Sequence, residues 1–442
     1  MDPMGHAQWR LSVMAAADAG ASIMIRSDFA RKMMSNSVAQ GLNFGSRWLL
    51  NLALARHFLE VEFGVFSFVY MLANLFFPAI AFGANFYLIH QAATFRQVSD
   101  LVSSITISLL MFTLFSLLLL GYAVWDQQAL DYQLYLLSLA IGLVWALHQA
   151  LFCYLKGAQQ FAIEVKSQLL GGCLMLLLVV AVWFETIDET ATVLWCILLL
   201  SLAPLAVGAR VIWPELQLQN LQLTKLWRDL WQKSVWRARL SYAWHDVFAI
   251  YLTNIPFIFL AIFSSLTALG QFRKAFILFM PVTLLPVVFS QVLLSKLSHK
   301  TLLADKVVLF RRSFLLTFPL LSLPYVLLLV LYPWLYPWLL NEQLTPESEL
   351  VTMLVVITLW LTLLKTYFEV WITAVGRTDL RAANVTVVAI LSSLAYIWLN
   401  SELDPAAAAW IFVLSNLAAV VLLQLICGWS YRQLKAKSGQ QP

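Results

Sequence analysis

The sequence predicts an all-α polytopic membrane protein. About twelve transmembrane helices form two six-helix lobes, related by a pseudo-twofold axis along the membrane normal. Three observations point there. The 442 residues are 61% apolar and only 12% charged, with a mean hydropathy of +0.80, too few charges for a soluble chain to cover its apolar surface. The apolar residues fall into runs long enough for spans of roughly 20 residues. The loops between those runs alternate in charge.

The runs lie at 34–57, 64–89, 101–124, 131–155, 166–184 and 190–213, and then at 238–262, 274–296, 312–339, 350–374, 382–400 and 405–430. They divide the chain into a weakly ordered cytoplasmic lead-in (1–33), an N-lobe (34–213), a cytoplasmic linker (214–237), a C-lobe (238–432) and a cytoplasmic tail (433–442). The start does not read as a cleaved signal: the stretch Leu11 to Ala17 is short, Asp18 interrupts it, and Arg26, Arg31 and Lys32 follow. The 18 Trp and 29 Phe suit membrane interfaces and apolar cores. Cys153, Cys173, Cys196 and Cys427 all sit inside apolar runs with no close pair, which reads as buried thiols without disulfide or metal roles.

Charge orients the set. One side carries Arg96, Lys156, Lys166, Arg210, Lys225, Arg228, Lys233, Arg237 and Arg239, then Lys296 through Arg312, Arg377 and Arg381, and the basic residues of both termini. The other carries Asp126, Asp131, Glu185, Asp188, Glu189, Glu342, Glu347, Glu349, Glu402 and Asp404. Lys and Arg concentrate in cytoplasmic loops, so both termini are expected in the cytoplasm. The net charge of +5 is then a signature of topology and calls for no nucleic-acid partner.

Arg56, Arg273 and Lys274 break the pattern, and they lie near the first loop of each half. Around those loops the chain reads EFGVFSFVYMLANLFFPAIAFG (62–83) and ALGQFRKAFILFMPVTLLPVVFS (268–290). Gly64-x-Phe66 matches Gly270-x-Phe272, Pro78 matches the Pro281/Pro286 pair, and YLKGAQQF with Gly157 answers TAVGRTDL with Gly376. Six crossings per half make the two repeats parallel, with a cavity between them at mid-depth.

These segments, with the helix count, resemble the polysaccharide (O-antigen) flippases of the multidrug/oligosaccharidyl-lipid/polysaccharide (MOP) exporter superfamily, over residues 34 to 432. The resemblance implies an inner-membrane transporter that moves undecaprenyl-diphosphate-linked oligosaccharide from the cytoplasmic to the periplasmic leaflet. Its implied partners are the lipid-linked oligosaccharide, membrane lipid, a polysaccharide polymerase and a chain-length regulator; no cofactor is implied. It also implies that the first, second, seventh and eighth helices line the central cavity.

The residues themselves nominate sites. Asn36, Gln40, Asn43, Arg47 and Asn51 are spaced 4, 3, 4 and 4 apart, so they share one helix face. Ser67, Asn74, Pro78 and Asn85 share a face of the second helix. A polar stripe must meet protein or water: either it lines a hydrated cavity where Arg47 meets an anionic ligand, or Arg47 is a packed residue held by carbonyls or a carboxylate. Gln40, Asn43, Arg47, Asn74, Arg273 and Lys274 are the substrate-binding candidates; Arg273 and Lys274 form a basic rim or snorkel to the interface. Asp246, His245, Lys365 and Glu369 are the ion-coupling candidates. Asp246 either meets Arg47 across the lobes or carries a proton or sodium ion. Lys365 and Glu369, four apart, are a neutralising pair or a switch. His148 reads as a lone packing imidazole.

Other functions fit less well. A multidrug or cation exporter of the same superfamily is the nearest rival, yet its site would be acid-lined, and the charges here are mixed. A membrane glycosyltransferase or polymerase would use paired acids such as Glu60 and Glu62, but no sizeable exterior loop is present to hold an acceptor. No Walker motif occurs, so the reading is a transporter and not an enzyme.

Overall fold

The computed structural model describes residues 38, 41–84, 87–89, 92, 98–125, 132–158, 160–187, 189–218, 232–298 and 302–438. Thirteen α-helices are named here. The first half holds α1 (41–57), α2 (Glu60–Ala81), α3 (Val98–Trp125), α4 (Tyr132–Gly157), α5 (Phe161–Trp183) and α6 (Thr190–Leu218). The second holds α7 (Lys233–Phe263), α8 (Leu266–Leu278), α9 (Leu284–Ser298), α10 (Leu303–Leu340), α11 (Pro346–Ala374), α12 (Thr378–Trp398) and α13 (Pro405–Ser438). Among the described residues, ten helices are long and apolar enough to cross a membrane. Taken together, α8 and the following Met280–Pro286, bent by 62°, are long and apolar enough for an eleventh, and α1 covers the first of the expected twelve runs. The protein is a multi-pass membrane protein.

Local chemistry sets the ends. Ser265 caps α8, its Oγ accepting from the Ala268 amide at 3.0 Å, and Thr345 and Ser348 form a reciprocal capping box at the start of α11. Asn341, in the left-handed region at φ 57°, ends α10, and Gly376 at φ +76° turns α11 into α12. Its expected counterpart Gly157 is the last residue of α4 and does not take a left-handed conformation, so the match is one of position. Pro281, in the 3-10 turn Met280–Thr283, separates α8 from α9, because proline removes an amide and crowds the preceding turn. Pro78 is absorbed inside α2.

The turns gather at two ends. At the acidic end Glu60, Gln271, Glu342, Ser348 and Pro405 line one cleft, and His57 Nδ1 meets Glu185 at 3.2 Å. At the basic end Arg377 reaches Gln433 at 3.4 Å and Lys306 donates to the Ala374 carbonyl. The charge alternation is thus a real separation of ends. Exposed Trp183, Trp334, Trp338 and Trp398 ring the acidic end, as interfacial tryptophans do. α10 carries four prolines and leaves most of its apolar surface uncovered by protein, as a lipid-facing helix should.

Within the first half α2 packs on α3 and α4, and α6 packs on α4 and α5; within the second, α11 packs on α9, α10 and α13, and α12 on α7 and α13. The halves join chiefly where α2 meets α7 and α8. There the matched glycines face each other's helix. A Cβ on Gly64 would lie 1.9 Å from the Leu266 carbonyl oxygen, and one on Gly270 would lie 2.5 Å from that of Glu60. Each glycine sits on the carbonyl four residues before its counterpart, as a twofold axis requires. Phe66 and Phe272 are both fully buried beside them.

Candidate functional site

α1 turns its polar stripe toward its own half. Asn43 hydrogen-bonds Gln168 of α5, and the Asn51 amide donates to the Arg47 carbonyl at 2.8 Å. The Arg47 guanidinium lies 5.0 Å above the Trp145 ring of α4, a cation–π contact. It lines a cavity of about 20 Å³ together with His148, Gln168, Ser201 and Pro204. Of the two alternatives for Asp246, a meeting with Arg47 is absent among the described residues, whose ion pairs leave Arg47 without a carboxylate. The helical wheel gives the arc of a stripe but not the neighbour it faces, and here that neighbour is the N-half. Gln40 lies outside the described residues, as do Asn36 and Asn85.

Arg273 and Lys274 neither snorkel nor form an exposed rim: they are 6% and 1% exposed. The reason is the Ser265 cap, which starts α8 at Leu266, eight residues before the expected boundary, and so places both cations two turns inside the helix. Lys274 bonds Glu342, beyond the end of α10. Arg273 has no carboxylate among the described residues; it stacks between Phe257 (5.0 Å) and Phe276 (5.7 Å). Its Nε is buried without a hydrogen-bond partner, as is the Oγ of Ser67. Ser67 and Arg273 each stand three residues beyond their half's seam glycine, and Tyr70 of α2 is within electrostatic reach of the guanidinium. Asn74 donates to the Tyr70 carbonyl at 2.9 Å.

The ion-coupling candidates divide. His245 Nδ1 and Asp246 Oδ1 are 3.3 Å apart, and both line a cavity of about 660 Å³ at the basic end, with Tyr242, Trp244, Arg237 and Arg381. Glu369 pairs with Arg381 of α12 at 3.3 Å and not with Lys365, which corrects the expected pair along α11. Lys365 has no ion-pair partner among the described residues. Arg381, a loop cation by sequence, lies in the first turn of α12, and the folding back of that helix brings it to Glu369. Arg239, also a loop cation by sequence, lies within α7. It is fully buried, stacks 4.2 Å over Tyr87 and donates to Ser104 Oγ at 2.6 Å, tying α7 to the first half. Trp145 and Ser201 carried no sequence signal, since an apolar helix contains many such residues.

Glu60 and Glu62 have structural duties: Glu60 accepts from Gln271 at 3.2 Å across the seam, and Glu62 accepts from the Leu59 amide. The cysteines are free, and Cys173 is exposed on the surface, not buried. His148 packs against Phe152, ring centroids 4.3 Å apart and tilted by 46°.

This architecture, two helical halves joined at a pseudo-symmetric seam, is similar in fold to several solved transporters. Among solved structures, an inward-facing multidrug resistance transporter of the MATE family, MOP superfamily, is similar at TM-score 0.65 and 13% identity, covering 91% of this chain and 96% of that one. The outward-facing form of such a transporter matches at 0.63, with 13% identity and coverage of 92% and 96%. The lipid II flippase MurJ, inward closed, matches at 0.64, with 12% identity and coverage of 88% and 86%. No family model matches the sequence, and no curated protein matches it.

Proposed function

We propose that this protein is a MOP-type transporter of the inner membrane that flips undecaprenyl-diphosphate-linked oligosaccharide toward the periplasmic leaflet for surface polysaccharide assembly, with both termini cytoplasmic. The observation that carries the reading is the unequal fate of interior charges. The carboxylates Asp246 and Glu369 each face a base, whereas Arg273, at the seam between the halves, has aromatic rings and, among the described residues, no acid. A desolvated guanidinium without a counter-charge is costly, and a diphosphate arriving at the seam supplies one with bidentate geometry. Tyr242 and Trp244 in the large cavity offer flat faces of the kind that pack against sugars. The polymerase and the chain-length regulator belong to this reading as partners downstream of the flipped lipid.

Transport in this reading draws on an ion gradient, with Asp246 as coupling acid. Glu369 is already paired with the Arg381 guanidinium of α12, whereas the neighbour of Asp246 is only the adjacent His245 imidazole. The similarity to MATE transporters and the placement of Asp246 in an aromatic-lined cavity favour a second reading, export of an organic cation. Reconstituted vesicles separate the two. The proposal expects flipping of a labelled lipid-linked oligosaccharide, at least about tenfold slower in Arg273→Ala, and gradient stimulation that disappears in Asp246→Asn. Organic-cation uptake that survives Arg273→Ala and fails in Asp246→Asn would establish the exporter instead.

A further inference from the structure

We infer that the small cavity enclosed by α1, α4, α5 and α6 is a binding site for one halide-sized monovalent anion, chloride in ordinary salt, with Arg47 as its counter-charge. This inference is independent of the transported substrate. Three donors at this cavity are buried and unpartnered: Nε of Arg47, Nε1 of Trp145 and Oγ of Ser201. Trp145 is 9% exposed and Ser201 7%, so neither side chain finds bulk solvent. An arginine or indole N–H can only donate. A pocket that presents such N–H groups therefore asks for an acceptor, and unmet buried donors are uncommon in folded proteins.

Charge narrows the acceptor to an anion. Among the described residues no acid lines the cavity, and none pairs with Arg47. The Trp145 face at 5.0 Å offsets part of that charge through its quadrupole but cannot neutralise it. Water would satisfy the donors and leave a net positive charge inside the half. Volume narrows it again. About 20 Å³ is room for one group near the size of a water, which admits a halide and excludes a phosphate, a sugar acid or a carboxylate ligand. The lipid-linked substrate of the preceding section cannot enter it.

The test uses the purified full chain in detergent, in gluconate buffer at fixed ionic strength, with sodium chloride or bromide exchanged in. The wild type should show a saturable rise in Tm of a few degrees, as binding to the folded state requires. Arg47→Gln should remove the dependence. Trp145→Phe keeps the ring face over Arg47 and deletes the N–H, so its half-saturating chloride concentration should rise about tenfold. In bromide-soaked crystals a single anomalous peak should lie between Arg47, Trp145 and Ser201. A flat titration, an undiminished response in Arg47→Gln, or density without anomalous signal, meaning water only, would overturn the site. Should Arg47→Gln fail to accumulate, the Trp145→Phe shift decides the matter alone.

Discussion

The cavity of the first half holds about 20 Å³ beside a guanidinium, and among the described residues no acid lines it. The cavity of the second half opens to about 660 Å³, where Asp246 faces His245 and Arg381 faces Glu369. Both halves carry charge into a membrane-spanning fold, yet they meet its cost differently. Around its cavity the second sets Glu369 of α11 against Arg381 of α12 and Asp246 beside His245 on α7, while Arg273 at the seam is left with aromatic rings. The first leaves Arg47 with an aromatic face and unfilled donors. Paired charges hold a structure together, while an unpaired charge marks a place where something else binds. At the seam the halves converge again, since Gly64 and Gly270 meet the opposite helix in equivalent ways.

The largest effect should come from breaking a buried pair in the second half. Glu342→Ala strands the Lys274 ammonium, which is 1% exposed, and should cost about 3–5 kcal/mol. Lys274→Met leaves Glu342, whose side chain is 35% exposed, and should cost clearly less. Thermal unfolding in detergent measures both, and equal losses would show that the pair is not the buried lock it resembles.

Next comes the place where the halves are alike. Gly64→Ala and Gly270→Ala should each destabilise by about 1–3 kcal/mol, because the new methyl must push a backbone carbonyl away. Gly41→Ala and Gly121→Ala, with nothing within 4 Å of the added carbon, are the controls and should be no worse than wild type. If only one seam glycine proves sensitive, the twofold character of the seam is superficial.

A smaller contrast separates the acids from the bases of α11. Glu369→Gln leaves Arg381 without its carboxylate and should cost about 1–2 kcal/mol, since both groups are only partly buried. Lys365→Gln breaks no pair and should stay within about 0.5 kcal/mol of wild type. The reverse ranking in a denaturation series would restore the pairing along α11 that spacing alone suggests.

Much of the fold was legible because lipid imposes its own grammar. Apolar run length marked the spans, and the alternation of Asp and Glu with Lys and Arg marked the two ends, now seen as clusters around Glu342 and around Arg377. The repeat was visible at Gly64 and Gly270, since close backbone approach admits no side chain. The sites were less legible for two reasons. Hydropathy alone does not show the start of α8, whose first turns are of mixed polarity and begin at a serine cap, so by sequence Arg273 and Lys274 fall at the rim. Periodicity also works within one helix, whereas the partners of Arg47 and Glu369 come from α4 and α12.

The claim at the centre of this account is that the interior selects an anion. Equilibrium binding to the purified protein tests it most directly, comparing undecaprenyl-diphosphate oligosaccharide with a lipophilic organic cation, in wild type and in Arg273→Gln. The account predicts saturable binding of the anionic lipid, weakened at least about tenfold by Arg273→Gln, and none of the cation. Tight binding of the cation, indifferent to Arg273 and lost in Asp246→Asn, would contradict it.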